Sequence, residues 1–235
     1  MTKKEITLPG LNEKVDEMVL TTNDRIDSNL EECASLLFPQ KGETTPRLRF
    51  KGFEGEWNEV TFGNIFKYER PDNYIVKSEA YADEYPTPVL TANKGFILGY
   101  TNESRTYNAE CVIFDDFTLD CKFVNFPFMV KSSAMKILTI KDETKYDLFF
   151  AYCLLSSTKI EILGHARHYI SVVQPTKVKV PSLKEQKKIA SFFRHLDEQI
   201  AIQQQQLDRL KQMKQACLNS LFTDNQSITP PPFEI

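Results

Sequence analysis

The longest regular pattern in the sequence lies near its end, where apolar side chains alternate at spacings of three and four residues. The stripe runs for more than four heptads, with Gln203 and Lys214 at two of its positions. No glycine or proline interrupts residues 183–222. This spacing predicts one helix of about 57 Å whose apolar seam pairs with another helix, as in a coiled coil. The expected seam or partner residues are Ile189, Phe193, Leu196, Ile200, Leu207, Leu210, Cys217 and Leu221.

The phrase that opens this helix occurs a second time, in a weaker form, near the start of the chain. ITLPGLNEK (6–14) aligns with VKVPSLKEQ (178–186), so that Pro9, Leu11 and Glu13 match Pro181, Leu183 and Glu185. A shorter apolar stripe follows and ends in CASLLF, where the long helix ends in CLNSLF. Because the order of strand, proline, helix and exit is kept, the repeat predicts a helix, a globular domain and a second helix.

The region between the two copies has short β-rich runs bounded by glycine, proline, asparagine and aspartate. They are TPVLT, GFILGYT, CVIFDDF, CKFVNFPFMV, MKILTI and HYISVVQPTKVKVP. Residues 145–164 have helical spacing instead. The predicted class is α+β, a mixed β domain flanked by an N-terminal helix and a long C-terminal coiled-coil helix. The expected segments are an N-terminal helical segment (1–46), the β domain (47–181), the long helix (182–223) and a tail (224–235).

Composition and motif content argue against several classes of protein. The chain has a net charge of −3, no apolar run long enough for a membrane span, and five cysteines without a Cys-x-x-Cys pair. These features predict reduced thiols in a cytoplasmic protein. The sequence lacks a Walker phosphate loop, a Gly-x-Gly-x-x-Gly turn and a Gly-x-Ser-x-Gly elbow. His165 and His168 have no acidic or cysteine ligand beside them, so we expect no metal, no cofactor and no catalytic site.

Three stretches resemble the specificity subunits of type I restriction–modification systems. They are TPRLRFKGFEGEW (45–57), VKVPSLKEQKKIASFFRHLDEQI (178–200) and LDRLKQMKQACLNSLF (207–222). YPTPVLTANKGFILGYT and HARHYISVVQPTKVKVPSL are similar to the body of a target-recognition domain of this family. Members typically carry two such domains separated by two helices. This chain holds one, and therefore resembles a half-length subunit.

The resemblance implies a function in DNA recognition without catalysis. The target-recognition domain would read one part of a two-part, double-stranded DNA target. The helices would form an antiparallel spacer and a surface for methyltransferase subunits, with restriction subunits joining through the complex. A homodimer would supply a second reader, because a repeated helical phrase allows two halves to pair with quasi-symmetric geometry.

Residues expected to face DNA are polar or aromatic side chains near turns, because base edges and phosphates are bound by such groups. The loop GHARHYIS is the strongest candidate, although Tyr169 could equally anchor the core. Lys122 and Lys131 flank an aromatic-rich pair of strands. The expected DNA-binding set is Lys94, Tyr100, Asn102, Arg105, Lys122, Arg167, His168 and Tyr169.

A second interpretation belongs to a different class of protein. The first 46 residues carry nine acidic and five basic side chains, and the chain has no basic run. The chain could therefore be a coiled-coil scaffold whose β-rich domain binds protein. DNA binding measured across a salt series, with and without methyltransferase subunits, separates the two interpretations.

Overall fold

The fold was analysed in a computed structural model, which describes residues 28–92, 95–160 and 169–223, and side chains as far as 219. Contacts divide the chain into two compact units, Met1–Ala190 and Ser191–Ile235. The first unit contains a helix at residues 28–37 (α1), all the described strands and the first turns of the long helix. The second contains the remainder of the long helix. The α+β class is confirmed.

Nine short strands form three sheets in the described part of the first unit. A four-stranded antiparallel sheet, sheet B, has the order β2 (Phe66–Glu69), β8 (Met135–Ile140), β5 (Cys111–Asp115) and β6 (Cys121–Val124). A three-stranded mixed sheet, sheet C, has the order β4 (Ile97–Thr101), β3 (Thr87–Leu90) and β7 (Met129–Val130). A small antiparallel sheet, sheet A, pairs β1 (Asn58–Thr61) with β9 (Lys177–Val180).

Short helical elements connect these strands. Helix α2 (Phe62–Ile65) follows β1, a 3₁₀ turn (Pro71–Tyr74) follows β2, and α3 (Leu148–Ser157) follows β8. Helix α4 spans Leu183–Thr223 without a break over 41 residues, which confirms the long helix expected from the apolar stripe. Within the described residues, no helix has the length and apolar character that a membrane span requires.

Sheet B forms the centre of the globular unit because both of its faces are covered. All five residues of β5 are buried, the pattern of a strand with no solvent-facing side. Ile113 packs in one cluster with Leu90 of β3 and Val130 of β7, which joins sheets B and C. Phe114 points to the other face, where α3 also packs through the contact of Phe149 with Phe123. The layer order is therefore sheet C, sheet B and α3.

Two sequence-based assignments near the end of the β domain were wrong. HYISVV was expected to be extended, but residues Tyr169–Val173 form a π-helical turn and only Lys177–Val180 form a strand. The helix expected within 145–164 ends at Ser157, where Thr158 takes an extended backbone and its N–H donates to the Leu155 carbonyl oxygen. Gly164, expected at that helix end, lies outside the described residues.

Candidate nucleic-acid interface

Two of the stretches quoted above, residues 45–57 and 178–200, meet in a buried ion pair between Arg49 and Glu185. The Arg49 guanidinium donates to both Glu185 carboxylate oxygens, at 2.7 and 2.8 Å. It also donates to the carbonyl oxygens of Gly55 (2.6 Å) and Glu54 (3.0 Å). The Glu185 side chain is only 2% exposed and that of Arg49 is 18% exposed. Arg49 therefore ties residues 49–55 to the first turn of α4 through a bidentate contact.

The next residue of the motif makes a second, fully buried connection. The Gln186 amide nitrogen donates to the carbonyl oxygens of Lys145 and Pro181, each at 2.9 Å. The Gln186 side-chain oxygen accepts the Asp147 backbone N–H at 3.0 Å, just before α3 begins. The Glu185-Gln186 pair therefore has a structural role. It fixes the first turn of α4 against two loops of its own globular unit.

Most of the described DNA-binding candidates lie around β4, together with Lys122 of sheet B. Lys122 lies on β6, opposite Ile113, and therefore on the side of sheet B that faces sheet C. Its ammonium lies 5.3 Å from the ring centroid of Phe96, the residue before β4. Lys122 thus reaches the β3–β4 turn, in which the predicted Lys94 also falls, although Lys94 lies outside the described residues.

Tyr100 and Asn102 lie at the other end of β4. Tyr100 is half-buried and pairs with Pro88, and Asn102 is exposed just after the strand. The loop that follows is tied down by Glu103, whose carboxylate oxygen accepts the backbone N–H groups of Lys77 and Ser78, each at 3.0 Å. Glu103 therefore ties this loop to the segment of Lys77 and Ser78, while Asn102 beside it stays exposed.

Arg105 is exposed in the same loop and lies near a small aromatic group. Burial, assisted by the Glu69 carboxylate, raises the pKa of the Tyr74 hydroxyl, and the charge of Arg105 opposes that increase. The Tyr74 ring contacts that of Tyr107 at 5.2 Å. Burial raises the pKa of Tyr107 to about 12. Both phenols are therefore neutral near pH 7, and Arg105 provides the positive charge at this end of the surface.

Tyr169, the last residue of the predicted set, belongs to the core and is not exposed. Its side chain is completely buried, with ring contacts to Phe114 (5.5 Å) and Tyr68 (5.4 Å). Burial raises its pKa. We therefore remove Tyr169 from the DNA-facing set, since a ring enclosed by β2 and β5 cannot touch a base. Its position agrees with the alternative role as a core anchor.

The backbone of Tyr169 is held by a buried carboxylate. The Asp116 Oδ1 atom accepts the Tyr169 N–H at 2.9 Å, and the Oδ2 atom lies 3.2 Å from the Lys136 ammonium. Lys136 also donates to the Ser133 carbonyl oxygen at 2.7 Å. Asp116 therefore fixes the backbone at Tyr169, the first residue of the described segment 169–223. Arg167 and His168 precede that segment and lie outside the described residues.

Sequence reasoning did not single out the contacts of Lys131, which lies beside the same surface. Its ammonium contacts the Glu79 carboxylate at 2.6 Å and lies 5.9 Å from the Tyr81 ring centroid. Tyr81 in turn packs against Gly99 of β4, where an added Cβ would lie 2.9 Å from the Tyr81 Cβ. Only the position of Lys131 beside aromatic strands was visible in the sequence, because its contacts join segments about fifty residues apart.

The predicted helix seam differs in exposure along α4. Ile189 is 1% exposed and belongs to the first unit, so it already serves the core of its own chain. Phe193 is buried, whereas Leu196, Ile200 and Leu207 are half-buried. Leu210 is 62% exposed, Cys217 is exposed, and the side chain of Leu221 is not described. The residues available to a partner therefore lie in the later part of the helix.

In the described part of the chain, no group of three or more histidine, cysteine, aspartate or glutamate side chains is placed to hold a metal ion. Near β4, beside the carboxylates of Glu79 and Glu103, lie the side chains of Lys122, Asn102, Arg105 and Tyr100. Such an arrangement is suited to contacts with phosphates and base edges.

The sequence matches a family described as the type I restriction modification DNA specificity domain over residues 54–212. This match covers more than half of the chain, and the chain belongs to that family. The specificity subunit of a type I restriction enzyme of Escherichia coli is 44% identical over 136 residues, which cover 55% of this chain and 33% of the relative. The match favours a DNA-specificity protein over the coiled-coil scaffold.

Solved structures support the fold. The S subunit of a type I restriction–modification system from M. genitalium matches with a TM-score of 0.52 and 19% identity, over 73% of this chain and 46% of that one. A structure from a study of complex assembly and conformational transition in the type I restriction–modification system matches with a TM-score of 0.54 and 16% identity. The match covers 89% of this chain and 52% of that one. The chain therefore spans a third to about half of the length of these proteins.

Proposed function

We propose that this chain is the DNA-recognition component of a type I restriction–modification complex, reading one part of a two-part duplex target. The observation that carries the proposal is the family match over residues 54–212. The tethered surface around β4 supports it, because Lys122, Asn102 and Arg105 supply exposed donors of the kinds that contact phosphates and bases.

The proposed partners are double-stranded DNA and methyltransferase subunits, with restriction subunits recruited through the same complex. Chemistry on DNA would be performed by those partners, so the chain itself is proposed to be non-catalytic. Its near-neutral charge is compatible with this function if partner subunits supply many of the phosphate contacts. Co-purification with methyltransferase subunits and duplex binding across a salt series test the proposal. Binding that is the same with and without this chain would contradict it.

The segment with Arg167 gives the first test of recognition. We expect Arg167→Ala to weaken DNA binding by the assembled complex, by about 1–3 kcal/mol and at particular base pairs if the guanidinium contacts a guanine edge. If it contacts a phosphate, the loss should be uniform across sequences and the salt slope should fall by about 1. Arg47→Ala is the matched control, because Arg47 is an exposed arginine paired with Glu43. Unchanged binding by a folded Arg167 variant would remove this segment from the interface.

We further propose that α4 associates with a second helix of a homodimer or a partner subunit through its later seam residues. Leu207→Lys combined with Leu210→Lys should give a monomer or abolish partner association, because two charges would enter the apolar seam. Gln205→Lys with Gln212→Lys is the matched control, since these exposed positions lie off the seam on the same helix. Light scattering reports the mass. An intact dimer or complex in the leucine variant would contradict the proposed seam.

A further inference from the structure

Lys131 is a half-buried lysine whose ammonium has both an acidic and an aromatic contact. Its ammonium contacts the Glu79 carboxylate at 2.6 Å and the Tyr81 hydroxyl at 3.4 Å, with the Tyr81 ring 5.9 Å away. The hydrogen bond to Glu79 raises the pKa of Lys131 and lowers that of Glu79. The lysine therefore has one aromatic and one acidic neighbour.

The two partners of the ion pair differ strongly in freedom. The backbone of Lys131 follows β7 and its N–H donates to the Leu90 carbonyl oxygen at 2.8 Å. Its side chain is 34% exposed, whereas that of Glu79 is 82% exposed. The ammonium is thus held in place by Tyr81 and the sheet, while the carboxylate can rotate into solvent.

The segment that carries Glu79 is fixed on both sides of that residue. Before it, Glu103 accepts the N–H groups of Lys77 and Ser78. After it, Tyr81 packs on Gly99, and the Ala82 N–H donates to the Tyr100 carbonyl oxygen at 3.2 Å. This tethering keeps the backbone of Glu79 close to Lys131, although the exposed carboxylate can rotate away.

We propose that Lys131 is a phosphate-binding residue of the β4 surface and that Glu79 competes with DNA phosphate for its ammonium. The proposal rests on the function proposed above. An exposed ion pair contributes little free energy, so a backbone phosphate can replace the carboxylate. The competition lowers binding to every sequence alike, because phosphates carry no base identity. Complexes that must find rare sites gain from such weakening of non-specific contacts.

The test uses the chain assembled with methyltransferase subunits and two fluorescent duplexes, one of the recognised sequence and one of random sequence. Glu79→Gln should increase affinity for both duplexes by the same factor, about two- to five-fold, the range of an exposed ion pair. Lys131→Gln should reduce affinity for both and lower the salt slope by about 1. In the double variant, Glu79→Gln should have little further effect, because its target ammonium is gone.

Glu59→Gln is the matched control for the removal of a negative charge. Glu59 is also exposed and contacts Lys177 at 2.9 Å, but in sheet A. We expect this variant to bind like the unchanged protein. An equal gain with Glu59→Gln would show a general charge effect and overturn the proposal, as would unchanged affinity in folded Glu79→Gln and Lys131→Gln complexes that bind DNA. An unchanged complex that binds no DNA would overturn the proposed function as well.

Discussion

Replacing Arg49 with alanine should lower the free energy of unfolding by about 3–5 kcal/mol, the range found when one member of a buried ion pair is removed. The substitution leaves the Glu185 carboxylate, 2% exposed, without its bidentate partner. It also removes the donors to the carbonyl oxygens of Gly55 and Glu54. Chemical denaturation followed by circular dichroism measures the change.

Two neighbouring variants make this test specific. Arg47→Ala removes an arginine two residues away whose pair with Glu43 is exposed, and should cost less than about 1 kcal/mol. Arg49→Lys keeps the charge but loses the fork geometry, so its stability should lie between those of the original protein and Arg49→Ala. If Arg49→Ala is as stable as Arg47→Ala, the proposed anchoring of α4 to the globular unit is wrong.

Asp116→Ala should destabilise the fold by a comparable amount, about 3–5 kcal/mol. The change leaves the Lys136 ammonium, 9% exposed, without its carboxylate and removes the acceptor of the Tyr169 N–H. Because Tyr169 directly follows Arg167 and His168, which are proposed to face DNA, the complex should also lose DNA affinity under conditions in which the variant remains folded.

Asp72→Ala is the matched control for Asp116. Asp72 pairs with Arg70 at 3.0 Å, but both side chains are more than half exposed, so the loss should stay below about 1 kcal/mol. Replacing Lys136 with methionine in the Asp116→Ala background should recover part of the stability, since no unpaired ammonium then remains buried. A double variant less stable than Asp116→Ala would contradict this explanation.

Helices α3 and α4 and the strands from β3 onward could be predicted because their patterns are local, whereas β1, α2 and β2 were not predicted. The apolar stripe before Leu221 and the absence of glycine and proline predicted α4, which spans Leu183–Thr223. The β-rich composition of CVIFDDF and MKILTI, with turn residues around them, predicted β5 and β8. The prediction of a strand directly after residue 168 was wrong, because it relied on β-branched residues, which favour strands. Tertiary contacts decided the outcome there, through the burial of Tyr169 and the acceptance of its N–H by Asp116.

The candidate site was only partly predictable for the same reason. Tyr100, Asn102 and Arg105 are close in sequence, so the end of β4 and the loop after it could be identified. The contact of Lys122 with Phe96 and that of Lys131 with Glu79 join distant segments. Glu185 and Gln186 were recognised as a motif, but their partners Arg49, Lys145 and Asp147 depend on the packing of loops. Segment boundaries at 46, 181 and 223 stay predictions.

The most direct test of the central claim is a map of methylated sites in DNA from cells that express this chain together with type I methyltransferase subunits, compared with cells that express the methyltransferase subunits alone. A chain that directs recognition should produce one two-part motif that is methylated only when it is present. The Arg49→Ala chain, if unfolded, should lose that methylation, whereas Arg47→Ala should keep it. If a stable complex forms and the methylated sites are the same without the chain, or share no motif, the chain does not determine the DNA target.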